Sequence, residues 1–259
     1  MNQKKIFKQE CTEEIIAQGE DEHLLESTKK WLTHSFKKKY PYHFSCLGRP
    51  IIQYPQDMVA IQEIIWDVKP DLIIETGIAH GGSLILSASM LAQIDMMEAI
   101  ESGQTMNPNQ SKRKVLGIDI DIREHNKIDI EKHYLSSRIQ MIQGSSISPE
   151  IIDQVKNIAS SYKTILIFLD SNHTHEHVLA ELEAYAELTS INSFCVVFDT
   201  IVEDLPLNAF PDRAWGPGDN PKTAVWEYLK SHSGFEIDKS IENKLLITVA
   251  PDGYLKRVR

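Results

Sequence analysis

From Asp71 onward the chain alternates short apolar runs with longer amphipathic ones, which restricts it to a mostly parallel sheet whose strands are joined by helices. Strands are expected at 72–77 (LIIETG), 114–121 (KVLGIDID), 139–144 (IQMIQG), 164–170 (TILIFLD) and 193–199 (SFCVVFD). Helices fill the intervals, at 82–97, 125–135, 149–160, 175–189 and 221–232. Two more strands close the chain, at 235–242 and 245–257, with only Asn243 and Lys244 between them. They are expected to pair antiparallel, because a parallel crossover needs a dozen or more residues. The result is a mixed seven-stranded sheet over residues 71–259. Residues 1–70 form an N-terminal extension of a different kind: a charged helical segment, then YPYHFSCLGRPIIQYPQD, whose prolines, aromatics and glycine predict an ordered loop lying across the domain.

With 42% hydrophobic residues in 259, the chain can bury a full core. Its formal charge of −10 argues against gripping nucleic acid, which requires a basic surface to displace counterions from phosphates. No apolar stretch follows the basic residues of MNQKKIFKQECTEE, so neither a signal peptide nor a membrane anchor is expected, and the default compartment is the cytoplasm. Cys11, Cys46 and Cys195 are few and far apart, as ordinary reduced thiols would be.

Ligands of open α/β sheets bind where the strands end, and nearly every strand here stops in a polar or flexible residue: Glu75 and Gly77; Asp119 and Asp121; Gly144, Ser145 and Ser146; Asp170; Asp199. The turn after the first strand, TGIAHGGS, has Ile78 and Ala79 where a dinucleotide site would have glycines. That favours a nucleoside without phosphates, with Gly77 permitting the turn, Gly81–Gly82 the close approach of the next helix, and Asp119 in place to accept from ribose hydroxyls. Taken singly, Gly77 fits a plain strand-to-helix turn equally well and Asp119 a solvated loop acid.

Asp170 and Asp199 end neighbouring strands, so their carboxylates should meet at one edge, and few hard oxygen ligands suit Mg²⁺. The alternative is that Asp170 caps a helix and Asp199 faces water. His173, three positions beyond Asp170, is a candidate general base, whereas His175 and His177 read as surface or helix-packing residues. Trp215, in RAWGPGDNP, is expected to wall the pocket, or else to sit in a structural turn before Pro221. Arg49 and Gln53, in GRPIIQ, are candidates for the other wall and for contact with substrate, or for packing.

Together these segments, LGRPIIQYPQD, KPDLIIETGIAHGGS, GIDID, LDSNHTHEHVLAELEAY and GPGDNP, resemble the cephalosporin hydroxylase and rhamnosyl O-methyltransferase family, and the likeness runs to the end of the chain. The resemblance implies a Rossmann-like class I methyltransferase fold and O-methylation by S-adenosylmethionine, assisted by a divalent metal, on a sugar or other polyhydroxylated small molecule. It implies that Glu75, Gly77 and Ser83 surround the methionine part of the cofactor, that Asp119 holds its ribose, and that Ser145 and Ser146 lie near adenine. It further implies that Asp170 borders the cofactor and, with Asp199, ligates the metal, and that His173 is the base. Related sequences often carry an acidic pair where this one has Phe198–Asp199, so Thr200 is considered as a replacement oxygen. Self-association through residues 1–70 is also implied. Two other readings stay open: a nicotinamide-dependent oxidoreductase, opposed by the missing glycines, and a non-catalytic cofactor-binding module, kept open by Phe198.

Overall fold

The computed structural model describes residues 2–259. Two helices lead, α1 (Gln3–Glu20) and α2 (Glu22–Lys37), each started by a side chain, Asn2 or Asp21, that accepts from a first-turn N–H. A short hairpin follows, β1 (Phe44–Cys46) with β2 (Arg49–Ile51), then α3 (Pro55–Val68). This stretch is more regular than the loop expected from its prolines. Pro55 opens a helix rather than breaking a strand, since a first-turn residue needs no N–H. Ile61, Ile64 and Ile65 recur at helical spacing and are buried.

The main domain runs β3 (Leu72–Thr76), α4 (Gly82–Ser102), β4 (Lys114–Asp119), α5 (Glu124–Lys132), β5 (Ile139–Gln143), α6 (Pro149–Ala159), β6 (Ile165–Leu169), α7 (His175–Tyr185), β7 (Phe194–Val197) and α8 (Pro221–Leu229). It ends with β8 (Phe235–Ile237), α9 (Lys239–Leu245) and β9 (Tyr254–Arg257). The sheet order is β5-β4-β3-β6-β7-β9-β8, parallel except that β9 runs antiparallel to both β7 and β8. The expected antiparallel pairing therefore holds, but its two-residue link does not. Asp238 accepts from Ser240 N–H and starts α9, so the predicted strand at 235–242 stops at Ile237, and the last strand begins only at Tyr254.

Strand alternation splits the core into two layers. Ile73, Val115, Leu166, Phe168 and Val196 face α3 and α4, whereas Leu72, Ile74, Leu116, Ile167 and Val197 face α6, α7 and α8. Helix α4 has the length and apolarity of a membrane span, but Leu84, Ile85, Leu91 and Ile94 are fully buried in the first layer, as befits a core helix. The sequence reversal falls between β3 and β6. That is where an open α/β sheet leaves a crevice beyond its strand ends.

Candidate active site

A cavity of about 430 Å³ occupies that crevice, a size suited to a cofactor with part of an acceptor. Its floor comes from the strand ends: the turn 77–83 after β3, Asp119 after β4, residues 170–173 after β6, and Asp199 after β7. Its upper walls come from Phe36, Tyr42 and residues 50–53 on one side and Phe210, Arg213 and Trp215 on the other.

Gly77 has φ +89°, and a Cβ there would lie 2.0 Å from the carbonyl oxygen of Asp170, so only glycine lets the two strand ends meet. The turn is then tied from two sides. Asp119 Oδ2 accepts from the N–H groups of Ile78 (2.8 Å) and Ala79 (3.2 Å). Arg49 donates through Nε and Nη2 to the His80 carbonyl (3.0 and 2.7 Å) and through Nη2 to Asn126 Oδ1 (2.9 Å). Arg49 therefore clamps the turn 77–83, its guanidinium engaged by protein partners; of the two roles the sequence left open for it, substrate contact or packing, its contacts are those of packing.

Asp170 and Asp199 do converge. Their carboxylates and a ring nitrogen of His173 offer three ligand atoms within 4.8 Å of one another, and His173 Nε2 lies 3.2 Å from Asp199 Oδ2. Among the described residues neither carboxylate pairs with lysine or arginine. Burial, then the charges of Asp199, Glu75, Glu181 and Asp57, push the Asp170 carboxyl well above the usual carboxylate range. Two hard oxygens and an imidazole with unbalanced negative charge are a donor set that fits a divalent cation. Asp199 adopts φ +55°, a left-handed backbone that aspartate tolerates better than most residues.

Thr200 does not join this group. It is fully buried and its hydroxyl donates to the Pro251 carbonyl at 2.6 Å, because the chain turns away after Asp199. Phe198 fills the α3/α4 core layer, edge-on to Phe168 with centroids 6.0 Å apart, so the hydrophobic substitution supports packing beneath the acids.

Ser83 lines the cavity, but Glu75 stands behind it, 2% exposed, its Oε1 accepting from the Ser83 hydroxyl. Burial raises the Glu75 carboxyl to about 8. Ser145 and Ser146 are outside the cavity wall; the Ser146 hydroxyl meets His177 Nε2 at 3.1 Å, and its carbonyl accepts from the Tyr185 hydroxyl. His177 also meets the Ser171 hydroxyl at 3.2 Å, which in turn donates to the fully buried Glu181. This brace beneath the β6 loop escaped the sequence reading, although its i, i+4 spacing on α7 was visible. Gln53 does reach the site, donating from Nε2 to Asp170 Oδ2 at 3.2 Å.

Trp215 stands edge-on to His173 (5.2 Å, 87°) and packs against Phe210 (4.8 Å). Both readings of its segment hold. Residues 216–220 are a pinned turn, with Gly218 N–H on Glu203 (2.7 Å) and Asp219 accepting from His175 N–H (2.7 Å), and that turn presents Trp215 to the cavity. Tyr42 and Phe210 were missed because aromatics in short or irregular segments carry no periodicity to betray their direction; Phe36 lies in the last turn of α2, and the sequence showed nothing of where that helix end docks.

A sheet of this order, parallel but for one antiparallel strand near its end, is the fold of the class I S-adenosylmethionine-dependent methyltransferases. The model of the family Rhamnosyl O-methyltransferase/CmcI matches residues 38–258, and the chain belongs to that family. The rhamnosyl O-methyltransferase of Mycobacterium tuberculosis is 31% identical over 203 residues, 78% of this chain and 73% of that protein. The Mycobacterium leprae protein of the same name is 29% identical over 214 residues, 82% of each. Among solved structures, apo CmcI superposes with TM-score 0.50 at 17% identity, covering 84% of this chain and 77% of that one. A CmcI structure with Mg and SAM matches at TM-score 0.50 and 17% identity, over 84% and 78%. The protein is an S-adenosylmethionine-dependent O-methyltransferase.

Proposed function

We propose that the methyl acceptor is a sugar hydroxyl and that Asp170 and Asp199 hold a divalent cation, Mg²⁺ by their chemistry, beside it. The observation that carries the metal is the convergence of three ligand atoms within 4.8 Å with no basic partner among the described residues other than His173. The sugar is supported by the names of the curated relatives and by the aromatic walls, Phe36, Tyr42, Phe210 and Trp215, whose faces suit the C–H surface of a pyranose.

A bound cation would supply Lewis acidity, making the acceptor hydroxyl easier to deprotonate. His173 takes that proton at a ring nitrogen, with Asp199 orienting the imidazole and Trp215 fixing its edge. Ser83, supported by Glu75, and the turn held by Asp119 and Arg49 seat the methyl donor. Transfer joins a developing oxyanion to a sulfonium and so dissipates charge, which a water-poor chamber favours; the aromatic walls keep water out.

The test is calorimetric titration of S-adenosylhomocysteine with and without Mg²⁺, combined with turnover of Asp170→Asn on rhamnosides. Turnover should fall by about 100-fold or more, the scale of a lost metal contribution. Undiminished turnover overturns the metal reading. The same clustering also favours His173 as a third ligand: His173→Gln lowers Mg²⁺ affinity in that case, and lowers turnover at unchanged affinity if His173 is the base.

A further inference from the structure

Behind the Ser83 side of the chamber lies a second, small cavity of about 10 Å³, lined by Gln53, Glu75, Ser83, Ser87 and Asp170 and, on its apolar side, by Ile61, Phe168 and Phe198. Its volume is on the order of the minimum that admits one water molecule. Two of its lining residues carry a buried acceptor without any hydrogen-bond partner, Gln53 at Oε1 and Glu75 at Oε2. Both side chains are nearly inaccessible, at 4% and 2%, so bulk solvent does not satisfy them. Their other ends are engaged: Gln53 Nε2 donates to Asp170 Oδ2 at 3.2 Å, and Glu75 Oε1 accepts from Ser83. Buried polar atoms in folded proteins are rarely left unpaired, and one water carries two O–H donors, the number these two acceptors require.

We propose that one buried water bridges Gln53 Oε1 to Glu75 Oε2, and that Gln53, held by it, is the positioning residue of Asp170. Among the described residues Gln53 is the one side chain that donates to the Asp170 carboxylate. Ser83, Glu75, the water, Gln53 and Asp170 then form a single hydrogen-bonded chain from the cofactor turn to the acidic pair. The bridge stands in either protonation state of Glu75, because water both donates and accepts. Phe198 lines the apolar side of this cavity together with Ile61 and Phe168.

The test is a high-resolution crystal structure of the metal-free wild type beside Gln53→Leu, which keeps the approximate volume and removes both polar ends. The wild type should show ordered solvent at about 2.5–3.0 Å from both acceptors. Gln53→Leu should lose that solvent and show Asp170 rotated, with Mn²⁺ affinity about tenfold weaker, kcat lowered and the KM for acceptor unchanged. No solvent between the two atoms, or Asp170 unmoved in Gln53→Leu, overturns the inference. The Mn²⁺ arm rests on the proposed metal reading; a wild type that takes up no Mn²⁺ sinks that reading, while the solvent and the Asp170 orientation still decide this one. If Gln53→Leu does not fold, Gln53→Met removes the Asp170 donor at similar size, and Asp170 should again be rotated; Asp170 unmoved there overturns the inference as well.

Discussion

Replacing Gly77 by alanine should separate the two strand ends on which the site is built. Gly77 has φ +89°, and its Cβ would stand 2.0 Å from the Asp170 carbonyl oxygen and 2.7 Å from the carbonyl carbon. Gly48 is a matched control, with φ +90° and nothing within 4 Å. Both variants bear the left-handed strain of an alanine, about 1 kcal/mol. Only Gly77→Ala must also open a gap, from 2.0 Å to the 3.0 Å below which real contacts essentially never fall. That displacement stretches the Asp170 N–H bond to the Thr76 carbonyl, now 3.0 Å. Overpacking costs about 1–3 kcal/mol and the lost bond about 1 kcal/mol, for a total of about 4 kcal/mol against about 1 kcal/mol in the control. At this chain length the difference is on the order of 10 °C in Tm. Chemical denaturation at equal m-value measures it directly. Because the movement falls on Asp170, S-adenosylhomocysteine affinity should drop in Gly77→Ala even at temperatures where it is fully folded. Equal stability of the two variants within about 0.5 kcal/mol, the usual error of additive comparison, would refute the reasoning.

Two further outcomes follow from the polar interior. Asp57 is fully buried, accepting from Thr248, from Val249 N–H (3.0 Å) and from Tyr254 (3.0 Å), yet burial outweighs these bonds and raises its carboxyl from 3.8 to about 6. Between those values the folded protein holds a proton that the unfolded chain has shed, so this contribution is full below pH 3.8 and lost as pH rises through about 6. The Asp57 share of the unfolding free energy should therefore fall over that range by about 3 kcal/mol, taking 1.36 kcal/mol per pKa unit; Glu75 and Asp170, also raised by burial, add to the slope in the same direction, so Asp57→Asn should make it shallower by that share, and an unchanged slope in Asp57→Asn contradicts the assignment. Arg49→Lys, which cannot give two donors to one carbonyl, should weaken S-adenosylhomocysteine by about tenfold with the acceptor KM unchanged. The converse pattern would return Arg49 to the substrate role its sequence position suggested.

The sheet was legible because its strands are apolar runs of the right length bounded by turn residues, and the acids at their ends are fixed by the same register. Asp119, Asp170 and Asp199 needed only the rule that ligands gather at strand ends. What the sequence hid were directions. Arg49 opens the short strand β2 and Gln53 lies just beyond its end, yet the first faces the His80 carbonyl and the second faces Asp170, and so short a strand leaves no periodicity in the sequence to separate them. Thr200 follows a metal-type aspartate in sequence, but the left-handed turn at Asp199 sends it under the sheet edge to Pro251. At the C-terminus the error was one of competition: FEIDKSIE alternates well enough for a strand, and the local Asp238 cap decides for a helix.

The turn that lacks its glycines is explained by what its amides do. In a pyrophosphate site the N–H groups after the first strand are free and converge on an anion. Here the Ile78 and Ala79 N–H groups are already taken by Asp119, and Ile78 is 2% exposed, packed into the core layer instead of leaving room for a phosphate. The substitution of side chains for glycines thus has an electrostatic result: a carboxylate stands in the place of the phosphate, and the chamber below it presents Asp119, Asp170 and Asp199. A dinucleotide would have to break two hydrogen bonds and bring two negative charges toward a chamber lined by acids, whereas a sulfonium brings the opposite charge and a ribose brings only hydroxyl donors. An acid that occupies the amides of this turn thus disfavours a pyrophosphate there and leaves a cationic, phosphate-free methyl donor without that penalty.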